Sequence, residues 1–340
     1  MTNTIWFIVL TFMLAGYAVL DGFDLGVGAL HMFVGRTREE REIPINTIGP
    51  VWNGNEVWLL AAGGSMVVAF PHLYAAAFSG FYLALTLVLW LLVLRGIGIE
   101  LRHQVHDPLW EDAWDVTFSI ASALLAVLFG AAFGNVLRGV PLDADGNFVG
   151  SFAIVLNPFA LLCGVLSLAT LSLHGATYLV MKTSGPVQAR ARRLVLPLWG
   201  VAMAVLVGVI AASFVVRPDF TANFMSMPWL LVIPAVGVAA AAAIFLFARR
   251  QDDTRTFLAS CAFIVGVLGS AAAGLYPRLL PALAGSPHAS LDIYNTASPP
   301  NSQQIALVIY LVGITIVAVY LVNLYRVWRG KVGHGDGYLP

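Results

Sequence analysis

The stretch Gly16-Tyr-Ala-Val-Leu-Asp21-Gly-Phe-Asp24-Leu-Gly-Val-Gly28 decides how this chain folds, because it sets two acids inside an apolar run extending from Ile5 to Phe33. A second stretch, Val51-Trp-Asn53-Gly-Asn-Glu56-Val-Trp58-Leu-Leu60, opens the next apolar segment with another acid about a turn and a half inside it. A carboxylate near mid-bilayer costs roughly 2.5–3.5 kcal/mol on the insertion scale, so such residues are retained where they have work to do. Two such segments within the first 60 residues predict proton handling inside a membrane.

Composition agrees. The chain has 340 residues, 59% hydrophobic and 11% charged, with a mean hydropathy of +0.84. A soluble domain carries about 25% charged residues, so an all-α polytopic membrane protein is expected. With 18 basic residues against 18 acidic ones, nucleic acid is not an expected partner. Cys163 and Cys261 stand singly in apolar segments, without CxxC, a haem-attachment CxxCH or a disulfide framework. No Walker motif, dinucleotide fingerprint or zinc-spaced cluster occurs, which argues against an ATP-driven pump or a self-contained redox enzyme. The N-terminal Met-Thr-Asn-Thr lacks a basic region, and the run behind it exceeds signal-peptide length, so a retained first helix is expected.

A span needs about 20 mainly apolar residues. Nine segments meet this: 5–33, 50–70, 73–94, 115–137, 156–180, 195–216, 228–248, 256–276 and 304–326, which together predict a single integral membrane domain over 1–340. Of the 18 Lys and Arg residues, all but Arg138, Arg217 and Arg278 fall in alternate loops, in the C-terminal tail or, for Arg326, at the last residue of the span that enters it. The excess of basic residues marks the cytoplasmic side, which puts the N-terminus outside and the C-terminus inside. Loops 138–155 and 277–303 should then be extracytoplasmic excursions with tight turns, such as Asp-Gly at 145–146.

Asp21 and Asp24 lie three residues apart, on one helical face and roughly 4.5 Å apart along the axis, so their titrations should be coupled. Asn53 and Glu56 have the same spacing on the second span. These groups could pass protons inward, hold a contact with another subunit, or serve structure alone by pairing with Arg36 or Arg95. Arg95, Glu100 and Arg102 follow the third span and predict a salt-bridge knot or a subunit contact at the cytoplasmic side. His31 and His174 lie within or beside spans, where a helix–helix hydrogen bond is the expected use and haem ligation the alternative. His72, His103, His106, His288 and His334 fall in loops or the tail. Trp58, beside Glu56, could pack or line an apolar route.

Several ordered motifs carry a resemblance. Ala18-Val-Leu-Asp-Gly-Phe-Asp-Leu-Gly-Val-Gly28 is followed by Asn46-Thr-Ile-Gly-Pro-Val-Trp-Asn-Gly-Asn-Glu-Val-Trp-Leu59. Tyr74-Ala-Ala-Ala-Phe-Ser-Gly-Phe-Tyr82, Arg95-Gly96 with Glu100 and Arg102, and Phe133-Gly-Asn-Val-Leu-Arg-Gly-Val-Pro141 come next. Asn157-Pro-Phe-Ala-Leu-Leu-Cys-Gly164 and His174-Gly-Ala-Thr-Tyr178 continue the series. The chain closely resembles subunit II of the bacterial cytochrome bd-type quinol oxidases, most strongly over 16–180.

That resemblance implies a bacterial inner-membrane heterodimer of two nine-helix subunits, each with two four-helix bundles and a peripheral helix. The partner, subunit I, would carry haem b, haem d and the quinol-oxidising loop. The present chain would offer no iron ligand and no catalytic residue. The complex oxidises ubiquinol or menaquinol and reduces dioxygen to water, taking protons from the cytoplasm. Membrane lipid, quinone and small single-helix accessory subunits are further partners to expect. Asp21 and Asp24 match the family's acidic pair, Asn53 stands where some members have an aspartate of the proton path, and Trp58 matches a tryptophan beside an oxygen route. A stand-alone proton-coupled secondary transporter is the rival reading. The odd span count and the lack of a visible inverted repeat weigh against it.

Overall fold

A computed structural model describes residues 1–333; His334 lies outside the described residues. Thirteen α-helices follow one another among the described residues. They are α1 (Thr2–Val34), α2 (Arg38–Ile48), α3 (Trp52–Ala69), α4 (Pro71–Gly80), α5 (Tyr82–Leu101), α6 (Pro108–Arg138) and α7 (Phe152–Val155). The series continues with α8 (Pro158–Lys182), α9 (Gly185–Val216), α10 (Ala222–Ser226), α11 (Val232–Arg249), α12 (Asp253–Leu275) and α13 (Pro300–Val327). Local chemistry sets many of their starts. Pro71, Pro108, Pro158 and Pro300 open their helices, where a missing N–H costs nothing. Asp107, Asn157 and Asp252 accept hydrogen bonds from the first exposed amides behind them. Thr37 and Glu40 close a reciprocal capping box on α2.

Among the described residues, eight helices are long and apolar enough to cross a membrane. The chain is thus an all-α, multi-pass membrane protein. The stretch expected at 50–70 forms α3, which is not among those eight because Asn53, Asn55 and Glu56 crowd its first turns. The segment expected at 73–94 is not one helix. Pro71 starts α4, the chain breaks at Phe81, and α5 then runs on to Leu101, past the expected end. The loop expected at 34–49 contains α2, and His72 lies in α4 instead of a loop.

Helices α1, α3, α5 and α6 pack in one group, and α8, α9, α11 and α12 in a second. α6 and α1 both lie against α8 and join the two, and α13 rests on α3 and α1 with almost all of its surface outward. At one end, loops 139–151 and 276–299 fold into a common cap. Val140 donates its amide to Pro281 and its carbonyl accepts from Leu283, both at 2.9 Å. A short antiparallel pair, β1 (Arg278–Leu280) and β2 (Leu291–Asp292), stiffens it. The turn expected at Asp145-Gly146 is present, with Gly146 at φ +80°, where a side chain would strain the backbone. Trp6, Phe70, Phe81, Phe148 and Ile293 bury together beneath this cap. The loops rich in Arg and Lys collect at the opposite end, where the Arg190–Glu40, Arg192–Asp253 and Lys331–Asp253 pairs join elements distant in sequence.

Candidate functional site

Small residues bring the acidic face of α1 into contact. A Cβ on Gly26 would lie 1.8 Å from the Leu171 carbonyl oxygen, and one on Gly175 would lie 2.3 Å from the Gly26 carbonyl carbon. α1 and α8 therefore touch backbone to backbone, as small residues permit between helices in lipid. About a quarter-turn around α1, the Trp58 ring seats directly on Gly16, where a Cβ would lie 2.3 Å from it. These two contacts fix the rotation of α1 and turn Asp21 and Asp24 inward. Both are completely buried.

Arg95, on α5, meets them. Its Nη2 donates to Asp21 Oδ1 at 2.6 Å and to Glu56 Oε1 at 2.7 Å. Asp24 takes a different partner: Asn55 Nδ2 donates to its Oδ2 at 2.8 Å, and Tyr325 on α13 donates its hydroxyl to Asn55 Oδ1 at 2.9 Å. One guanidinium thus serves two carboxylates, while a third is held by a neutral amide. Arg95 and Asp21 are fully enclosed, whereas the Glu56 side chain is 26% exposed, so Glu56 is where this cluster reaches the surface of the chain. Asp21 Oδ2, Asp24 Oδ1, Tyr17 Oη and the Nε and Nη1 of Arg95 have no protein partner among the described residues.

A second polar cluster ties the basic end together. Asp115, buried near the start of α6, accepts from His31 Nε2 at 2.8 Å, from Arg102 Nε at 2.6 Å and from Arg41 Nη1 at 3.4 Å. Arg41 and Arg38 both grip Asp112, at 2.9 and 2.8 Å, and Arg102 also reaches Glu42 at 3.5 Å. Arg190 forms a two-pronged pair with Glu40 at 2.8 and 2.5 Å and also donates to the Val34 carbonyl. That guanidinium, helped by the amides of Arg36 and Thr37, pulls the Glu40 carboxyl down to about 2.

The sequence expectations fare unevenly. Arg95, Glu100 and Arg102 do not form one knot: Arg95 turns inward to Asp21, Arg102 turns to Asp115, and exposed Glu100 pairs with neither. Seven residues, nearly two helical turns, separate Arg95 from Arg102, which lets them serve two clusters. Asn53 is exposed, and it is Asn55 that faces Asp24. Trp58 is packed, edge-to-face with Phe12 at 5.5 Å. His174 bonds Ser260 Oγ through Nδ1 at 2.7 Å and the Val19 carbonyl oxygen through Nε2 at 2.9 Å, so both ring nitrogens are engaged. His31 is committed to Asp115. No group of three or more His, Cys, Asp or Glu among the described residues is arranged to hold a metal ion. Asp115, Arg41, Asn55 and Tyr325 were missed. Asp115 carried the same signal as Asp21, an acid inside an apolar run, but it stands at the first residue of the 115–137 segment and passes for a boundary residue.

Comparison with known proteins places these features in context. The family described as cytochrome bd terminal oxidase subunit II matches residues 2–328. A probable cytochrome oxidase subunit 2 of Haemophilus influenzae is 35% identical, with 96% of this chain and 94% of that protein aligned. Cytochrome bd-I ubiquinol oxidase subunit 2 of Escherichia coli K12 is 35% identical over 95% of this chain and 92% of its own length. Cytochrome bd ubiquinol oxidase subunit 2 of Bacillus subtilis is 31% identical, with 98% of each chain covered. The structure of bd oxidase from Geobacillus thermodenitrificans contains a chain that superposes with a TM-score of 0.77, covering 96% of this chain and 98% of that one. At 16% identity this last likeness concerns the fold alone.

Proposed function

The chain belongs to the cytochrome bd terminal oxidase subunit II family, and from that premise we propose that it is the haem-free subunit of an inner-membrane quinol oxidase that feeds protons toward dioxygen reduction in its partner. The partner, subunit I, would hold haem b and haem d and carry the electron transfer from quinol. The relatives' names, each a second subunit of such an oxidase, support the pairing. The engagement of both His174 nitrogens supports placing the iron ligands in the partner, and His31 already holds Asp115 through its Nε2.

The observation that carries the proton role is the Arg95 bridge between Asp21 and Glu56, enclosed within apolar helices. A guanidinium does not give up its proton, so Arg95 would orient the carboxylates and would not relay. Protons would enter at Glu56, the exposed member, and move through water to Asp21 and Asp24, whose spare oxygens and the Tyr17 hydroxyl can each hold a bridging water. Asn53, one turn before Glu56 on the exposed side of α3, would lead water to it. Trp58, tightly seated on Gly16, would form a wall of an oxygen route and not its opening.

The collection of Arg and Lys at one end supports a cytoplasmic placement of that end. The chain would then form one integral domain with α3 as the ninth span, an external N-terminus and a cytoplasmic C-terminus. Glu56→Gln should slow oxygen reduction by the intact complex at least several-fold while the reduced-minus-oxidised haem spectrum is kept. Unchanged turnover would remove Glu56 from the path. Loss of the complex itself, with normal turnover in what survives, would make the cluster structural.

A further inference from the structure

At the basic end, an open cleft of about 330 Å³ lies between α8 and α9 on one side and α11 and α12 on the other. Its inner lining is mostly apolar, with Val180 on α8, Val195 and Leu196 on α9 and Ala248 on α11 beside the buried Thr177 and Thr256. Its mouth is polar, with the charged Arg192, Arg249 and Asp253 and the neutral Gln251. The two arginines differ in kind. Arg192 is spent on Asp253, which it grips with both Nη atoms at 2.7 and 3.0 Å. Arg249 has no carboxylate partner among the described residues. Its guanidinium lies 4.7 Å above the Phe245 ring, which holds the charge at the rim without neutralising it. Nearby Arg193 and Arg250 are exposed and likewise lack a carboxylate among the described residues, so the rim carries excess positive charge.

A charged mouth over a mostly apolar lining, at the end of a membrane helix group, matches one ligand chemistry. We propose that this cleft holds the phosphate of an anionic phospholipid, with Arg249 as its principal donor and the acyl chains running down α9 and α11. Guanidinium groups recognise phosphate oxygens in pairs, and basic pockets between helices at the membrane boundary take phospholipid headgroups. The surface continuing from the cleft is apolar and open to lipid, with Leu246 51% and Val201 50% exposed. A soluble anion would use the mouth and leave the apolar lining bare; a lipid uses both. The bound lipid would add to the contacts that already hold α8 and α9 to α11 and α12 at this end, the Arg192–Asp253 pair and the Phe257 ring against Tyr178 and His174.

The test uses the whole oxidase complex, stripped of lipid in mild detergent, with its thermal unfolding followed as dioleoyl-phosphatidylglycerol, dioleoyl-phosphatidylcholine or inorganic phosphate is added. Phosphatidylglycerol should raise the midpoint of the unaltered complex well beyond phosphatidylcholine, and inorganic phosphate at equal concentration should not. Arg249→Glu should need about tenfold or more phosphatidylglycerol for the same shift. Arg250→Glu, an equal charge change at the rim but not in the lining of the cleft, should lose clearly less of the response than Arg249→Glu. If Arg249→Glu does not assemble, Arg249→Gln gives the same readout with a milder change. An unaltered response in the Arg249 variants, or an equal loss in Arg250→Glu, would overturn the site. A phosphate response matching that of phosphatidylglycerol would overturn the lipid as its occupant.

Discussion

The two buried polar clusters both set arginine against carboxylates and differ in their ratio of cations to carboxylates. Around Arg95, one guanidinium faces Asp21 and Glu56, and Asp24 leans on the neutral Asn55. Around Asp115, one carboxylate draws His31, Arg102 and Arg41, and the surplus arginine contacts pass on to Asp112 and Glu42. The first cluster can accept a proton and still leave its cation paired. The second is saturated with donors and behaves as a latch holding α1, α2, α5 and α6 at the basic end. A buried pair contributes little net stability, but stripping one partner leaves an uncompensated charge. On the proposed reading, the ratio separates a cluster that would exchange protons from one that would only hold.

The largest expected effect breaks the first cluster outright. Arg95→Leu leaves two carboxylates facing each other without a cation and should destabilise the complex by about 3–5 kcal/mol, read as loss of assembled, haem-containing complex from membranes. Adding Asp21→Asn to that variant should recover part of the yield. No recovery would mean that Arg95 acts through its packing and not its charge.

Asp115→Asn should cost somewhat less, about 3 kcal/mol, because it strands the buried Arg102 while Glu42 remains within reach. The complex that survives should turn over at the normal rate per haem. A slowing equal to that of Glu56→Gln would erase the distinction between latch and relay.

The smallest effect lies at the edge of the latch. Glu40 is held down at about 2 by Arg190, so the folded form binds its proton less readily than the unfolded chain. The pair's contribution is then complete above the ordinary carboxylate range and fades as pH falls from there toward 2. Glu40→Gln should lower stability by roughly 1 kcal/mol or less at neutral pH, since the pair is partly exposed. The gap between variant and parent melting points should close as pH drops from about 5 toward 2. A gap that widens on acidification would reverse this assignment.

Much of this architecture is legible in the residue order. The apolar runs, the Arg and Lys alternation and the acids inside the first two spans mark a polytopic membrane protein, and the Asp21-to-Asp24 and Asn53-to-Trp58 motifs carry the family. The Asp145-Gly146 turn and the proline starts of the helices are equally local. The break at Phe81 is not: Tyr82–Leu101 and Pro71–Gly80 are each fit to be helical, and only their packing against different neighbours separates them.

The partners inside the site were decided by tertiary structure alone. Hydropathy is a sum over neighbouring residues, so the chain by itself determines which segments enter the membrane. Which side chains meet depends on how each helix is rotated, and one residue of shift turns a side chain by about 100° around the axis. Two residues therefore separate exposed Asn53 from Asn55 on Asp24, although composition treats them alike. The rotation itself follows from close contacts between distant segments, Gly26 on Gly175 and Gly16 beneath Trp58. Those contacts, and not the spacing of the acids, aim Asp21 at Arg95, 74 residues away, and turn an apolar helix with two carboxylates into one wall of a buried polar cluster.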